Sequence, residues 1–198
     1  MEVTMAKLQH RTPPRILQLK ITLMDSEPAI WRRVLVADQI TLYQLHQVIQ
    51  IIMGWTNSHL HLFDIDDKLY SLPEFGLDDW GEPVANERRT RLFAFDWKSQ
   101  KRFRYDYDFG DNWRHEVVVE KLSQIEEGVR YPKCIGGERA CPPEDVGGIS
   151  GYGDFLQAIG DPMDEEHEST LMWVGGAFNP EFFSRDDANA KLWKTFRK

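Results

Sequence analysis

Residues 105–120 read YDYDFGDNWRHEVVVE, and the fold turns on how this stretch is parsed. Phe103, Tyr105, Tyr107 and Phe109 fall on one face of an extended chain, with Arg102, Arg104, Asp106 and Asp108 on the other. Beyond Gly110-Asp111-Asn112 the alternation resumes, with Trp113, His115, Val117 and Val119 sharing a face. Gly, Asp and Asn supply the backbone freedom that a tight connection requires. The spacing predicts a β-hairpin over 102–120, with strands 102–109 and 113–120 and a turn at 110–112. On this parsing Asp106 and Asp108 are the wet face of a strand, free to pair with Arg114 across the hairpin.

Working outward, Leu17, Leu19, Ile21 and Leu23 alternate with Gln18, Lys20 and Thr22, which predicts a half-buried strand. Asp25-Ser26-Glu27-Pro28 is turn-like, and Ile30–Val36 reads as the returning strand. A helix is expected over 42–53. Thr41 and Gln44 have capping-box spacing, Ile40 and Leu45 suit a hydrophobic staple, and Leu42, Leu45, Ile49 and Ile52 make a buried stripe. Gly54 is its natural stop. Two further strands, 59–66 and 68–72, turn at Asp66-Asp67. Residues 73–90 hold Pro73, Gly76, Gly81 and Pro83 and read as a long surface loop.

From 126 the texture changes. YPKCIGGERACPPEDVGGISGYGD is rich in Gly and Pro and reads as loop, ordered and packed on the open end of the hairpin. Phe155, Leu156 and Ile159 suggest a short helix, and Ser184 caps a last helix over 185–196. The expected class is α+β: a mixed or antiparallel sheet, element order β-β-α-β-β, β-grasp-like in outline, with the hairpin 102–120 and short C-terminal helices. Residues 1–14 are expected to be flexible and 15–198 to form one domain, β-rich over 15–122 and loop-and-helix over 123–198.

The 198 residues carry a net charge of −8, so the chain as a whole repels phosphate. Residues 88–104 are the exception, with seven Lys or Arg against one Asp, whereas 126–187 hold fourteen acids against four bases. Two cysteines are too few for a disulfide framework. MEVTMAKLQHRTPPR lacks the apolar stretch of a signal peptide, and no run is long enough to span a bilayer. The expected location is the cytoplasm.

Three blocks of residues also resemble a known family. They are Pro28-x-Ile30-Trp31-Arg32-Arg33, then Tyr107-Asp108-Phe109-Gly110-Asp111-x-Trp113-x-His115, then Cys141-Pro142-Pro143-Glu144-Asp145-x-Gly147-Gly148 with Gly151-Tyr152 behind it. In these the chain resembles the plasmid pRiA4b ORF-3-like family, over about residues 15–185. The resemblance implies an α+β domain and no established activity. Family members often carry the label of transposon resolvase. A serine recombinase needs a nucleophilic Ser among arginines, and Ser26, Ser58, Ser99 and Ser123 lie in no such setting.

Candidate chemistry gathers in a few places. Asp108, Asp111, His115, Glu144 and Asp145 meet if the Gly-rich loop folds over the hairpin end, and a His flanked by carboxylates can serve as general acid-base. The structural alternative has Asp111 binding its own turn, and Glu144 or Asp145 capping donors in the Gly-Gly loop. His59 and His61 can chelate from one strand face. Cys134 and Cys141, with six residues between them, are wider apart than a zinc knuckle. The wide Cys spacing and scattered His lead to an expectation of no metal and no cofactor. Trp113 and Tyr152, with Arg102 and Arg104, are candidate binding residues. The leading expectation is a non-catalytic module or adaptor that binds another protein. One alternative is an enzyme or metal-dependent site at the hairpin end, built from Asp108, Asp111, His115 and Glu144. A second is a mobile-element accessory that contacts nucleic acid through 88–104.

Overall fold

In a computed structural model, residues 13–80 and 83–197 are described; nearly all of the stretch expected to be flexible, 1–14, lies outside them. The strands are β1 (Arg15–Leu23), β2 (Trp31–Ala37), β3 (His61–Ile65), β4 (Lys68–Ser71), β5 (Val84–Asn86), β6 (Arg102–Tyr107), β7 (Trp113–Gln124) and β8 (Lys133–Glu138). They form one sheet in the order β5-β4-β3-β6-β7-β1-β2-β8. The helices are α1 (Leu42–Met53), α2 (Gly148–Gly160), α3 (His167–Trp173) and α4 (Arg185–Thr195). The class is α+β.

The hairpin β6–β7 is the centre of the sheet. Tyr107 faces Trp113 and Tyr105 faces His115 across it, while β1 and β3 close on its two outer edges. All these pairings are antiparallel; β4 and β5 run parallel at the far edge. Period-2 alternation holds along β2, β3, β6 and β7 as far as Val119, and the β1–β7 register shifts between Gln18 and Leu19. Phe103, Tyr105, Tyr107, Trp113, His115, Val117 and Val119 are buried together with Leu17, Leu19, Ile21 and Leu23. α1 lies on that face and begins with the expected capping box, Thr41 accepting from the Gln44 N–H and Gln44 accepting from the Thr41 N–H. Gly54, at φ 105°, stops it.

Three sequence expectations are corrected. The wet-face reading fails at Asp108: β6 ends at Tyr107, and Asp108 turns in, buried, at φ 56°. Its neighbour Asp106 pairs with Arg104, and Arg114 pairs with Asp25. The stretch 73–90 is not all loop, because it carries β5 and a fully buried Glu87. Nor is 131–154 all loop. Residues 133–138 form β8 on the edge of β2, and Gly148 opens α2. Gly136 and Gly137 read as loop for a reason of packing. A Cβ on Gly137 would stand 2.6 Å from the Phe183 ring and 2.8 Å from the Arg32 side chain, so only Gly fits this strand.

Arg32 itself is buried. Its guanidinium donates to the carbonyls of Ile52, Trp31 and Glu138 and lies over the Phe183 ring at 4.1 Å. It thereby satisfies the carboxyl-terminal end of α1, where a cation is favoured.

Candidate functional site

The loop after β8 lies across the end of the central hairpin, and side chains clamp it there. Trp55 Nε1 donates to the Pro142 carbonyl at 3.1 Å. Glu144 Oε1 accepts from the Thr56 N–H at 2.8 Å, from Thr56 Oγ1 at 3.1 Å and from Tyr107 Oη at 3.0 Å. Tyr107 in turn accepts from the Ser58 N–H. Asp111 Oδ2 accepts from the Gly147 N–H at 3.1 Å. The close approach requires glycine, since a Cβ on Gly148 would meet the Asp111 carbonyl at 2.6 Å. The capping roles are therefore redistributed. Asp108 Oδ1 binds the turn N–H groups of Gly110 and Asp111, Asp111 caps the Gly-Gly loop, and Glu144 holds segment 56–58 and Tyr107.

This arrangement leaves a polar centre at the rim. His59 Nε2 stands 3.1 Å from Asp145 Oδ1, 3.5 Å from Asp108 Oδ2 and 3.7 Å from Glu144 Oε2. It is shielded from solvent, yet it hydrogen-bonds to none of the three. The ligand atoms of His59, Asp108 and Asp145 all lie within 4.8 Å of one another. Asp108 keeps Oδ2 for this centre because Oδ1 serves the turn. Asp145 reaches it from a left-handed backbone, φ 58°, which Asp tolerates better than most residues. The Asp145 side chain is 71% exposed, so the centre opens to solvent on one side.

The other candidates go elsewhere. His115 is buried at 0% exposure, and its Nδ1 meets the Tyr105 carbonyl of the facing strand, not a group of the loop or of α1. Burial lowers it to about 4, so it is neutral at ordinary pH and does not join the carboxylates. Cys134 is buried beside Asn189, which exchanges two hydrogen bonds with its backbone. Burial pushes the Cys141 thiol up to about 12, an inert setting. Trp113 and Tyr152 are both buried and cannot offer an exposed ring. In segment 88–104, Leu92 and Trp97 point inward, Arg88 pairs with Glu74, Arg102 with Glu116, and Arg104 with Asp64 and Asp106. The segment does not present a uniform basic face.

His61 enters a second cluster that sequence reasoning missed. Its ring stacks on His46 at 3.5 Å and 7°, and its Nε2 lies 2.9 and 3.0 Å from the two Glu87 carboxyl oxygens. A closed circuit fixes His46. Gln50 donates to Tyr105 Oη, Tyr105 lies 2.8 Å from His46 Nδ1, His46 Nε2 lies 2.7 Å from Asn57 Oδ1, and Asn57 N–H returns to Gln50. Asn57 Oδ1 can only accept, so Nε2 carries the proton and Tyr105 donates to Nδ1. Burial drops His46 and His61 each to about 3 and lifts Glu87 to about 8. The cluster is thus an uncharged one, with Glu87 holding the proton.

The fold and the rim centre define an α+β protein whose mixed sheet carries a histidine–carboxylate cluster at the end of its central hairpin. Residues 15–187 match the model of the plasmid pRiA4b ORF-3-like proteins, and the chain belongs to that family. It is 41% identical over 163 residues to the uncharacterized protein y4hQ of Sinorhizobium fredii (strain NBRC 101917 / NGR234), covering 82% of each chain. A crystal structure of a protein of unknown function, MM3350 from Methanosarcina mazei Go1, is similar at a TM-score of 0.81 and 36% identity. That match covers 89% of this chain and 97% of the other. Among the described residues no helix is long and apolar enough to cross a membrane.

Proposed function

We propose that the protein is a divalent-cation-binding protein, with His59, Asp108 and Asp145 as its ligands and Glu144 beside them. The observation that carries this reading is His59 Nε2, close to three carboxylates and hydrogen-bonded to none. An imidazolium would aim its N–H along the line to one oxygen. A nitrogen facing the space between several oxygens suits a cation there instead. Ligands about 2.0–2.3 Å from one ion stand roughly 3–4.5 Å apart, which is compatible with the separations within the cluster. One imidazole with hard oxygens favours Mn²⁺, Fe²⁺ or Zn²⁺ over Ca²⁺ and Mg²⁺. The open side next to Asp145 leaves room for water or an anionic ligand on the ion. The reading departs from the metal-free expectation because that expectation weighed Cys spacing, and the cysteines take no part.

The test is titration of the chelator-treated full chain with MnCl₂, followed by calorimetry and by the Mn²⁺ electron paramagnetic resonance signal. One site per chain is expected, with affinity reduced at least tenfold in His59→Gln and in Asp145→Asn, and unchanged in His167→Gln. Binding that ignores both ligand substitutions, or no binding at millimolar Mn²⁺ or Zn²⁺, overturns the proposal.

A further inference from the structure

α3 and its approach carry large exposed apolar side chains. α3 presents Met172 and Trp173 to solvent at 80% and 53% exposure, and Met163, in the turn before it, is 88% exposed. Isolated exposed apolar residues are ordinary; three large ones on one short element and its approach are not. The indole is not loose, since its ring meets Phe155 at 6.0 Å and 71° on the inner side. It is an anchored ring with an open outer face. Methionine is the side chain that adapts most readily to another apolar surface.

The charge around these residues is of one sign. Residues 161–168, DPMDEEHE, hold five carboxylates, and from 140 to 184 the chain has nine acids and not one Lys or Arg. Among the described residues none of the five has an ion-pair partner. Asp161 and Asp164 use one oxygen each on the turn backbone of Met163 and Glu166 and keep the other free. Such an acidic run repels nucleic-acid phosphate and anionic lipid headgroups alike. It attracts Lys and Arg, and the apolar centre attracts an apolar stripe.

We infer that the α3 surface docks a basic amphipathic helical segment of a partner protein, whose apolar face covers Met163, Met172 and Trp173 and whose Lys and Arg meet the 161–168 carboxylates. The occupant is fixed by charge complementarity: a helix with apolar residues at i, i+3, i+4 and i+7 and basic residues on its flanks joins both features at once. The surface is separate from the rim cluster, and the inference does not rest on cation binding.

The experiment uses the full chain labelled with ¹³C at the methionine methyls, titrated with three synthetic 18-residue peptides. One is a Leu/Lys peptide patterned as an amphipathic helix, the second has the same composition scrambled, and the third has Glu for Lys. The patterned Leu/Lys peptide is expected to shift the Met163 and Met172 methyls saturably and to leave the buried Met53 unmoved. The double substitution M172E/W173E is expected to weaken binding at least tenfold, and D164N/E165Q/E166Q at least threefold. All of these positions are exposed except the half-buried Asp164, whose Asn replacement keeps the acceptor for the Glu166 N–H, and an unchanged melting temperature verifies folding. Equal binding of the scrambled peptide, shifts spread over Met53, or M172E/W173E protein that binds as tightly as the parent overturns the inference.

Discussion

His59 and His61 stand two residues apart in one His-Leu-His stretch, and the protein uses them in opposite ways. His61 lies under α1 with no exposure, ring to ring with His46 and against a buried carboxyl. His59 lies at the rim, where three carboxylates approach it and one of them is largely in water. Burial sets the difference. In the interior a charge costs more than a proton shift, so Glu87 keeps its proton and the histidines lose theirs. At the rim Asp145 stands largely in water, and the carboxylates of Asp108, Glu144 and Asp145 approach one ring nitrogen. The same residue types give a structural knot in one place and, on the function proposed above, a ligand set in the other.

The largest expected effect tests the knot. Glu87→Ala removes the partner of His61 Nε2 and leaves a hole at a site without solvent, and it should destabilise the fold by about 2–4 kcal/mol in urea unfolding. Glu87→Gln keeps the volume and offers an amide N–H where the protonated carboxyl offered its O–H, so its cost should stay within about 1 kcal/mol. A Gln substitution as damaging as Ala would mean that Glu87 is charged in the folded state, and the contrast drawn between the two histidines would fail.

The next effect is on the pH dependence of stability, and it separates the two kinds of group. Glu87 moves from an ordinary 4.5 up to about 8, so its stabilising share is complete below 4.5 and is lost as pH rises through about 8. His46 and His61 move from 6.5 down to about 3, and His115 down to about 4. The unfolded chain binds more protons there, so the share of these histidines is complete above 6.5 and is lost as pH falls toward those values. Stability should therefore peak slightly above pH 6.5, where the fading contribution of the unfolded histidines is balanced by that of Glu87, with an alkaline decline owed to Glu87. Urea midpoints from pH 5 to 8.5 check this. Glu87→Gln should flatten the alkaline limb and steepen the rise between pH 5 and 6.5, where Glu87 opposes the histidines; identical alkaline limbs in the two proteins would remove Glu87 from the account.

What could be read in the sequence follows the range of the interactions. Helix 42–53 was legible to the residue because cap, staple and stop are all within a few positions of it. The hairpin centre was legible because its two alternating faces and its turn are contiguous. Where a long-range contact decides, the sequence misleads. Gly136 and Gly137 look like loop, although the bare Cα of Gly137 is what lets β8 approach Phe183 and Arg32. Glu87 looks like one acid of a wet loop until His61 is placed beside it. At the site, Asp108, Glu144 and Asp145 were named from their motif blocks, and His59 as a possible ligand. Their meeting depends on the Asp111–Gly147 and Trp55–Pro142 contacts, which join residues dozens of positions apart. His115, grouped with them by proximity in sequence, shares the buried face of Tyr107 and Trp113 but lies one pair further from the hairpin end, against Trp55 and with its Nδ1 on the Tyr105 carbonyl.

The smallest expected effect is the sharpest for the rim. Asp145→Asn should leave the metal-free fold within about 0.5 kcal/mol of the parent, the range of exposed substitutions. Three features support this. Its side chain is mostly in water, its φ of 58° is one that Asn also tolerates, and its described ion contact is with His59 alone. Loss of one charge from a set of three carboxylates also relieves repulsion, which offsets what the His59 contact contributed. Asp108→Ala is the internal control. It uncaps the Gly110 and Asp111 N–H groups and should cost about 1–2 kcal/mol without any metal. Added MnCl₂ then divides the variants again. Ligand that binds only the folded state stabilises it by RT ln(1 + [L]/Kd), about 2.7 kcal/mol at a hundredfold excess over Kd. The parent should gain this and Asp145→Asn should not, although the two melt alike in chelator. If Asp145→Asn melts well below the parent in chelator, the Asp145–His59 contact is a structural ion pair of the rim, and His59 then belongs with His61 as a packing residue.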